Sequence, residues 1–325
     1  MNVWEFLGLP SDHRPKNKIV QLVKHWQEVP DSKKQYPYYG QVKKDGVFGL
    51  VVVTKDDDGN FAVAVFGRTG EQLSNTEAIV SRFQEGYVSE GVYIGEVLTQ
   101  AECSLEELSG ILNPNRINKL DINQEVLKWN LYIALHDCLT IKMFINGTSS
   151  GIGYHTRHAS LMKRVAGTDL EENVLPYTVI HDDHQKDLFT KACIAAKEEG
   201  AVYKKPGCEW EAGHKGFHQM KEVREVTYDL KCVGYEEGSG KYKGKVANLV
   251  FQWKEGQTIK AMLGKGYTHD DAELMFGACE TFSMEHPSYP IGKVFRIRGL
   301  QDSSKGKIRL PKVSEERYDK VTGDY

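Results

Sequence analysis

The sequence predicts an α+β protein of two domains, a mixed and mainly antiparallel sheet domain followed by a small β-barrel of the OB type. Three observations predict it. The 325 residues are enough for two packed cores. Short β-branched runs separated by turn residues dominate the N-terminal part, with helical patterns between them. Beyond Lys231 the composition changes to short strands broken by Gly-rich basic turns, about five in roughly a hundred residues, which suits a small barrel. The expected boundary lies near Cys232, giving domains 1–232 and 233–325.

Taken in order, residues 1–35 read as a helical lead-in. Ile19, Val20, Leu22, Val23 and Trp26 recur at helical spacing, and Pro30-Asp31 stops the pattern. Strands are expected at Val47–Thr54, Phe61–Phe66 and Gly91–Leu98, the first two joined by the turn Asp56-Asp57-Asp58-Gly59-Asn60. Helical patterns occupy Thr76–Gln84 and Asp187–Glu199. Asn146–Gly167, Gly/Ser-rich at its start, reads as a mobile surface insertion. Four more strands are expected at Tyr228–Tyr235, Val246–Trp253, Thr258–Leu263 and Lys293–Gly299.

The bulk composition narrows the classes. Hydrophobic content of 40% and charged content of 27% are those of a soluble globular protein. The longest apolar stretch, near Val47–Val53, is far too short to cross a bilayer, and no signal-peptide pattern opens the chain. A soluble, cytoplasmic protein without membrane partners is therefore expected. Six scattered cysteines without a C-x-x-C pattern point to reduced thiols. Residues 1–200 hold 21 Lys+Arg against 27 Asp+Glu, and residues 201–325 hold 21 against 18. A polyanion would thus be held by local basic surface, mostly C-terminal, not by a global field.

The richest chemistry begins at Lys43-Lys44-Asp45-Gly46. Alone, K-x-D-G is an ordinary surface-turn pattern. Here Arg68-Thr69-Gly70, Gly95-Glu96, Glu199-Gly200-Ala201-Val202-Tyr203-Lys204, Lys221 and Arg317-Tyr318-Asp319-Lys320 follow in order. A lysine with two later glutamates and a far C-terminal R-x-D-K can move a nucleotide onto the lysine and then onto a phosphate. A lysine of ordinary pKa, roughly 10.4, is almost wholly protonated at neutral pH, so the nucleophile needs burial, nearby cations or a metal. Lys44 and Lys204 are cationic candidates. Glu96 and Glu199 suit Mg²⁺, which takes one or two carboxylates with waters and phosphate.

This order and spacing resemble the covalent nucleotidyltransferases, and among them the small ATP-dependent DNA ligases of bacteriophages. The resemblance covers residues from about 40 to the end and implies a nucleotidyltransferase (ATP-grasp-like) domain ahead of the barrel. It implies that Lys43 carries a lysyl-AMP adduct, Arg68 lies near the nick phosphate, Glu96 and Glu199 are linked to Mg²⁺, and Lys221 contacts the AMP phosphate. Arg317 and Lys320 would close over pyrophosphate from the barrel, which is expected to swing between closed and open states. Gln41 and Val42 would flank the nucleotide, with Lys204 beside it and His136 or its rival Tyr132 stacking on adenine. Leu263-Gly264-Lys265-Gly266-Tyr267-Thr268-His269-Asp270-Asp271 and Gly306-Lys307-Ile308-Arg309-Leu310-Pro311 resemble two further ligase segments. The implied activity is sealing of 5′-phosphate/3′-OH nicks in duplex DNA by a monomer using ATP and Mg²⁺. Use in replication, repair or recombination, in a host cytoplasm if phage-encoded, goes with it.

Three positions depart from the family pattern. Phe48 stands where many members carry arginine, Gln41 where glutamate reads adenine, and Gln219 where a second lysine is usual. These keep an RNA ligase and an mRNA guanylyltransferase as alternatives, beside a non-catalytic nucleic-acid-binding scaffold. Gly238-Ser239-Gly240-Lys241-Tyr242-Lys243-Gly244-Lys245 reads as a flexible basic loop able to neutralise phosphates, with Lys265, Lys305, Lys307 and Arg309 extending the track. Cys208, His214 and His218, or His181-Asp182-Asp183-His184, are incomplete as zinc sets.

Overall fold

The computed structural model describes residues 1–55, 58–302 and 306–325. The strands are β1 (Leu22–His25), β2 (Tyr38–Lys43), β3 (Val47–Lys55), β4 (Phe61–Phe66), β5 (Gly91–Thr99), β6 (Leu131–Leu139), β7 (Thr148–Gly153) and β8 (Thr178–Ile180). They continue as β9 (Gly200–Lys204), β10 (Glu209–Glu211), β11 (Lys215–Val223), β12 (Glu225–Glu237), β13 (Val246–Gln252), β14 (Thr258–Leu263), β15 (Val294–Asp302) and β16 (Ile308–Glu316). The helices are α1 (Val3–Phe6), α2 (Glu77–Glu85), α3 (Leu105–Leu112), α4 (Ile122–Trp129), α5 (Ile141–Asn146), α6 (Tyr154–Val165), α7 (Asp183–Ala195) and α8 (His269–Glu280). The chain divides into two compact units, Met1–Val223 and Arg224–Tyr325.

Two main sheets build the first unit, in the orders β1-β11-β9-β2-β8 and β4-β3-β5-β6, with a small β10-β7 pair. Every pairing in them is antiparallel except β1 with β11. Leu50, Val51, Val52 and Val53 of β3 are all fully buried. Both faces of that strand are therefore covered, which explains its unbroken apolar run. Val51 and Val53 pack with Phe83 of α2, Leu108 of α3 and Leu161 of α6. Leu50 and Val52 face the other way, toward Trp4, Phe144 and Trp210. A smaller cluster behind the first sheet holds Trp26, Tyr38, Ala201, Tyr203 and Met220.

In the second unit, β12-β13-β14-β16-β15 close into the expected five-stranded barrel. The long strand β12 pairs with β15 over Glu225–Lys231 and with β13 from Cys232 onward, with a register shift after Cys232. A bulge of this kind bends one strand into two partnerships. The expected boundary at 232/233 thus falls inside one continuous strand, and the units meet at Val223/Arg224. Thr268 and Asp271 form a reciprocal capping box at the start of α8, so the ligase-like Thr268–Asp271 stretch also has a plain structural duty.

Three expectations are corrected. Residues 1–35 are not a helical lead-in: beyond the short α1, Leu22–His25 is a strand paired with β11, roughly two hundred positions away. A short apolar run is ambiguous in period, and long-range pairing decided it. Asn146–Gly167 is not a mobile insertion but β7 and α6, with Tyr154, Arg157, His158, Leu161 and Val165 buried. The helix expected at Asp187–Glu199 runs earlier, over Asp183–Ala195, because the Asp182 carboxylate caps it by accepting from Gln185 N at 2.8 Å. Of the expected β3–β4 turn, Asp56 and Asp57 lie outside the described residues, while β3 and β4 pair as a hairpin. Among the described residues no helix is long and apolar enough to cross a membrane.

Candidate active site

The site is assembled where β2 hands the chain from one sheet to the other. Alternation along β2 puts Tyr39, Gln41 and Lys43 on one face and Tyr38, Gly40 and Val42 on the opposite face. The Val42 side chain packs into the cluster of Trp26, Tyr38 and Ile180. That side chain therefore lies on the face opposite Lys43. The same alternation presents Lys204 of β9 and Lys221 of β11, since their neighbours Tyr203 and Met220 are in that rear cluster. Register completes the row: Lys43 lies opposite Gly200, Gln41 opposite Val202, and Val202 opposite Lys221.

Glycines permit the close approaches here. A Cβ on Gly46 would stand 2.5 Å from the Val97 carbonyl oxygen, so only glycine lets the turn after Lys43 press onto β5. Gly200 adopts φ +150°, and a Cβ there would lie 2.2 Å from the Glu222 oxygen. The glycines of K-x-D-G and E-G-x-V-x-K are thus demands of packing around the lysine and the acid.

Lys43 Nζ donates to Glu199 Oε2 at 2.5 Å, and Glu199 N donates to the Lys43 carbonyl at 3.2 Å. Beside this pair, Lys44 is joined to Glu198. Glu96 comes from β5, opposite Phe48 and Ala134. Burial pushes the Glu96 carboxyl up to about 7; Lys43 and Arg68 pull it down, while Glu199 and Asp45 add like charge. Burial likewise lowers Lys221, with Lys43 and Arg68 adding like charge and Glu199 opposing. Lys43, Arg68, Glu96, Glu199 and Lys221 therefore sense one another's charge. Arg68 is exposed, and its guanidinium lies 5.4 Å from the centroid of the Phe48 ring. The residue that departs from the family pattern thus supports the neighbouring arginine by a cation–π contact.

A buried polar network adjoins this cluster. Lys204 Nζ contacts His136 Nδ1 at 3.0 Å and donates to the His136 carbonyl at 3.2 Å. While charged, Lys204 can only donate, and in that state the imidazole accepts at Nδ1. Burial, with Lys204 adding like charge, lowers the His136 pKa and keeps the ring neutral. Burial also pushes Lys204 down to about 7, against the pull of Asp137. Gln41 is 1% exposed with both amide ends engaged: Nε2 donates to the Leu175 carbonyl, and Oε1 accepts from Tyr154 Oη, each at 2.8 Å. Behind them Arg157 grips Asp137 through Nε and Nη2 at 2.9 and 3.0 Å. Sequence reasoning missed Tyr154, Asp137 and Arg157. The signal was the run Tyr154, His158, Leu161, Val165 at helical spacing.

The remaining expected residues belong to the barrel unit. Arg317 and Lys320 converge on Asp229 of β12. Lys241, Lys243 and Lys265 are exposed, whereas Lys245 is paired with Glu273 of α8. The stretch Gly238–Lys245 is closed by a bond from Gly238 N to the Lys245 carbonyl at 2.9 Å and contains one 3₁₀ turn. Arg309 is half-buried near the start of β16, and Lys305 lies outside the described residues. His214 and His218 stack at 3.7 Å in the first unit. Among the described residues no group of three or more His, Cys, Asp or Glu side chains is arranged to hold a metal. Glu96 and Glu199 repel each other, Glu199 being one of the charges that raise the Glu96 carboxyl.

Known proteins share this architecture. Residues 237–317 match the family described as the DNA ligase OB-like domain. A probable DNA ligase of Mycobacterium sp. (strain KMS) is 29% identical over 147 residues, 45% of this chain and 28% of its own length. A DNA ligase of Nitrosopumilus maritimus (strain SCM1) is 23% identical over 231 residues, 66% of this chain and 38% of its own. The chain thus spans well under half the length of these curated relatives. Among solved structures, a Lig E DNA ligase superimposes with TM-score 0.64 at 15% identity, covering 92% of this chain and 98% of that one. The ATP-dependent DNA ligase of bacteriophage T7 in complex with ATP gives 0.51 at 16%, covering 91% and 97%. The chain has the fold of the ATP-dependent DNA ligases, and its C-terminal unit carries their OB-like domain.

Proposed function

We propose that the chain is an ATP-dependent DNA ligase that seals nicks through a covalent adenylate on Lys43, acting as a monomer on duplex DNA in the cytoplasm. One observation carries the reading. Lys43, placed by β2, meets Glu199, Glu96, Arg68 and Lys221, contributed from separate strands and turns, in one electrostatic cluster. In the first step Lys43 Nζ bonds to the α-phosphorus of ATP, pyrophosphate leaves, and the amine gives up a proton. Lys221 and Arg68 offset charge on the phosphate. In the second, a 5′-phosphate oxygen at the nick displaces Nζ from the AMP phosphorus. In the third, the adjoining 3′-oxygen attacks the 5′-phosphorus and AMP departs. Glu96 and Glu199 would hold a divalent cation, which supplies charge neutralisation on the phosphates.

The test is labelling. Wild-type protein incubated with α-labelled ATP and Mg²⁺ should acquire label that survives denaturation, and Lys43→Ala should acquire none. Label persisting in Lys43→Ala would rule the assignment out. Parallel reactions with ATP, GTP and NAD⁺ on nicked duplex DNA and on single-stranded RNA ends separate this reading from a guanylyltransferase or an RNA ligase. DNA binding with no adduct would indicate a scaffold.

A further inference from the structure

The helices that cover one face of the sheet β4-β3-β5-β6 leave large apolar side chains in solvent. Helix α4 buries Leu127 in the core cluster behind that sheet. Its Ile122 is 85% exposed, and Val126 and Trp129 are more than half exposed. Steps of four and three residues set these side chains in one row along the helix. Ile117, shortly before α4, is 97% exposed. Trp129 also lines a groove of about 840 Å³. A row on α2, Glu77, Val80, Ser81 and Gln84, lines the same groove, together with Leu73. Single apolar side chains on a surface are ordinary, whereas a continuous row beside a groove marks a contact surface.

Charge selects the occupant. Residues 71–130, which contain α2, α3 and α4, hold ten Asp+Glu against four Lys+Arg. Lys128, next to Trp129, is already engaged: it bonds Glu125 at 2.9 Å and lies 5.0 Å from the Trp129 ring centroid. Arg116 is held by the carbonyls of Gly110, Asn118 and Lys119. Duplex DNA would meet this face as like charge, and a second copy docking on the same face would set acid against acid. Docking here also leaves the Lys43 cluster open. Val97 packs in one cluster with Leu127 of α4 and Phe83 of α2. Alternation along β5 therefore puts its neighbour Glu96 on the opposite face of the sheet.

We propose that the α2–α4 face docks another protein through a basic amphipathic helix. Its apolar side chains lie on the row ending at Trp129, and its lysines or arginines face Glu77 and the acidic surroundings. A groove lined by two helices suits a third. The inference does not depend on the function proposed above.

The probe is a fluorescein-labelled synthetic helix with leucines along one face and lysines on both flanks. Anisotropy titration with the full chain should show saturable binding. Trp129→Ser and Ile122→Ser should each weaken it at least about tenfold, the loss expected for a central apolar anchor. Ile122→Ser serves if Trp129→Ser does not fold. The same helix with glutamates for lysines should bind at least about tenfold more weakly, and Glu77→Lys should narrow that gap. Absence of binding, equal affinity for the two peptides, or folded variants that bind as wild type does overturns the inference. Duplex binding that falls with Trp129→Ser, or self-association in sedimentation that Trp129→Ser abolishes, also overturns it, by giving the face to DNA or to a second copy.

Discussion

Replacing Arg157 with alanine tests whether the buried network beside Lys204 and His136 is held as described. Arg157 and Asp137 are 4% and 7% exposed. Besides its two bonds to Asp137, Arg157 donates through Nη1 to the Ile152 carbonyl at 2.7 Å and the Cys208 carbonyl at 3.2 Å. Its loss leaves a buried carboxylate without its cation. Removing one partner of a buried ion pair costs about 3–5 kcal/mol. In a unit of this size that corresponds to a fall of roughly 6–20 °C in melting temperature. Urea unfolding followed by tryptophan fluorescence measures it. The pair Asp137→Leu with Arg157→Met leaves no unpaired charge and should lose less than Arg157→Ala alone. A single-variant loss below about 1 kcal/mol, or a double variant worse than the single, would refute the reasoning.

Two other predictions concern the metal and the DNA. Burial raises Glu96 to about 7, so the folded state holds a proton that the unfolded state has released. Stability from this group therefore falls as pH rises from the ordinary carboxylate range to about 7. Mg²⁺ needs the carboxylate, so stabilisation by Mg²⁺ should be greater at pH 8 than at pH 6, and Glu96→Gln should abolish the difference; equal stabilisation at both pH values in wild type contradicts the site. Lys241→Gln with Lys243→Gln should reduce the salt dependence of duplex binding by about 0.9 in log–log slope per lost phosphate contact. Lys245→Gln, already paired with Glu273, should do less.

The parts of the site legible in the sequence are those whose side chains must be of one type for the chemistry. Glu96 and Glu199 each stand beside a glycine and Lys43 stands three positions before one, and Gly46, Gly95 and Gly200 all make approaches no Cβ would allow. The motif was readable because packing and chemistry constrain the same few positions. Tyr154, Asp137 and Arg157 were hidden for the opposite reason. Arg157 and His158 look like surface residues, and nothing local shows that Asp137 waits across the fold to neutralise the arginine. Strand β1 was misread because its partner, β11, is remote in sequence. Four of the five barrel strands were legible as apolar runs bounded by turns, whereas β16 (Ile308–Glu316) was not set out as a strand.

Lys43 and Glu199 are 156 positions apart in the chain yet joined twice, once through the backbone and once through their side chains. Such a double tether makes amine and acid a single mechanical part. Under the function proposed above, any ion on Glu199 would keep a fixed offset from the Lys43 amine, since widening it would mean peeling β9 from β2. Under that proposal, timing would fall to the arrival and alignment of substrate, because Lys43 and Glu199 have no assembly step of their own.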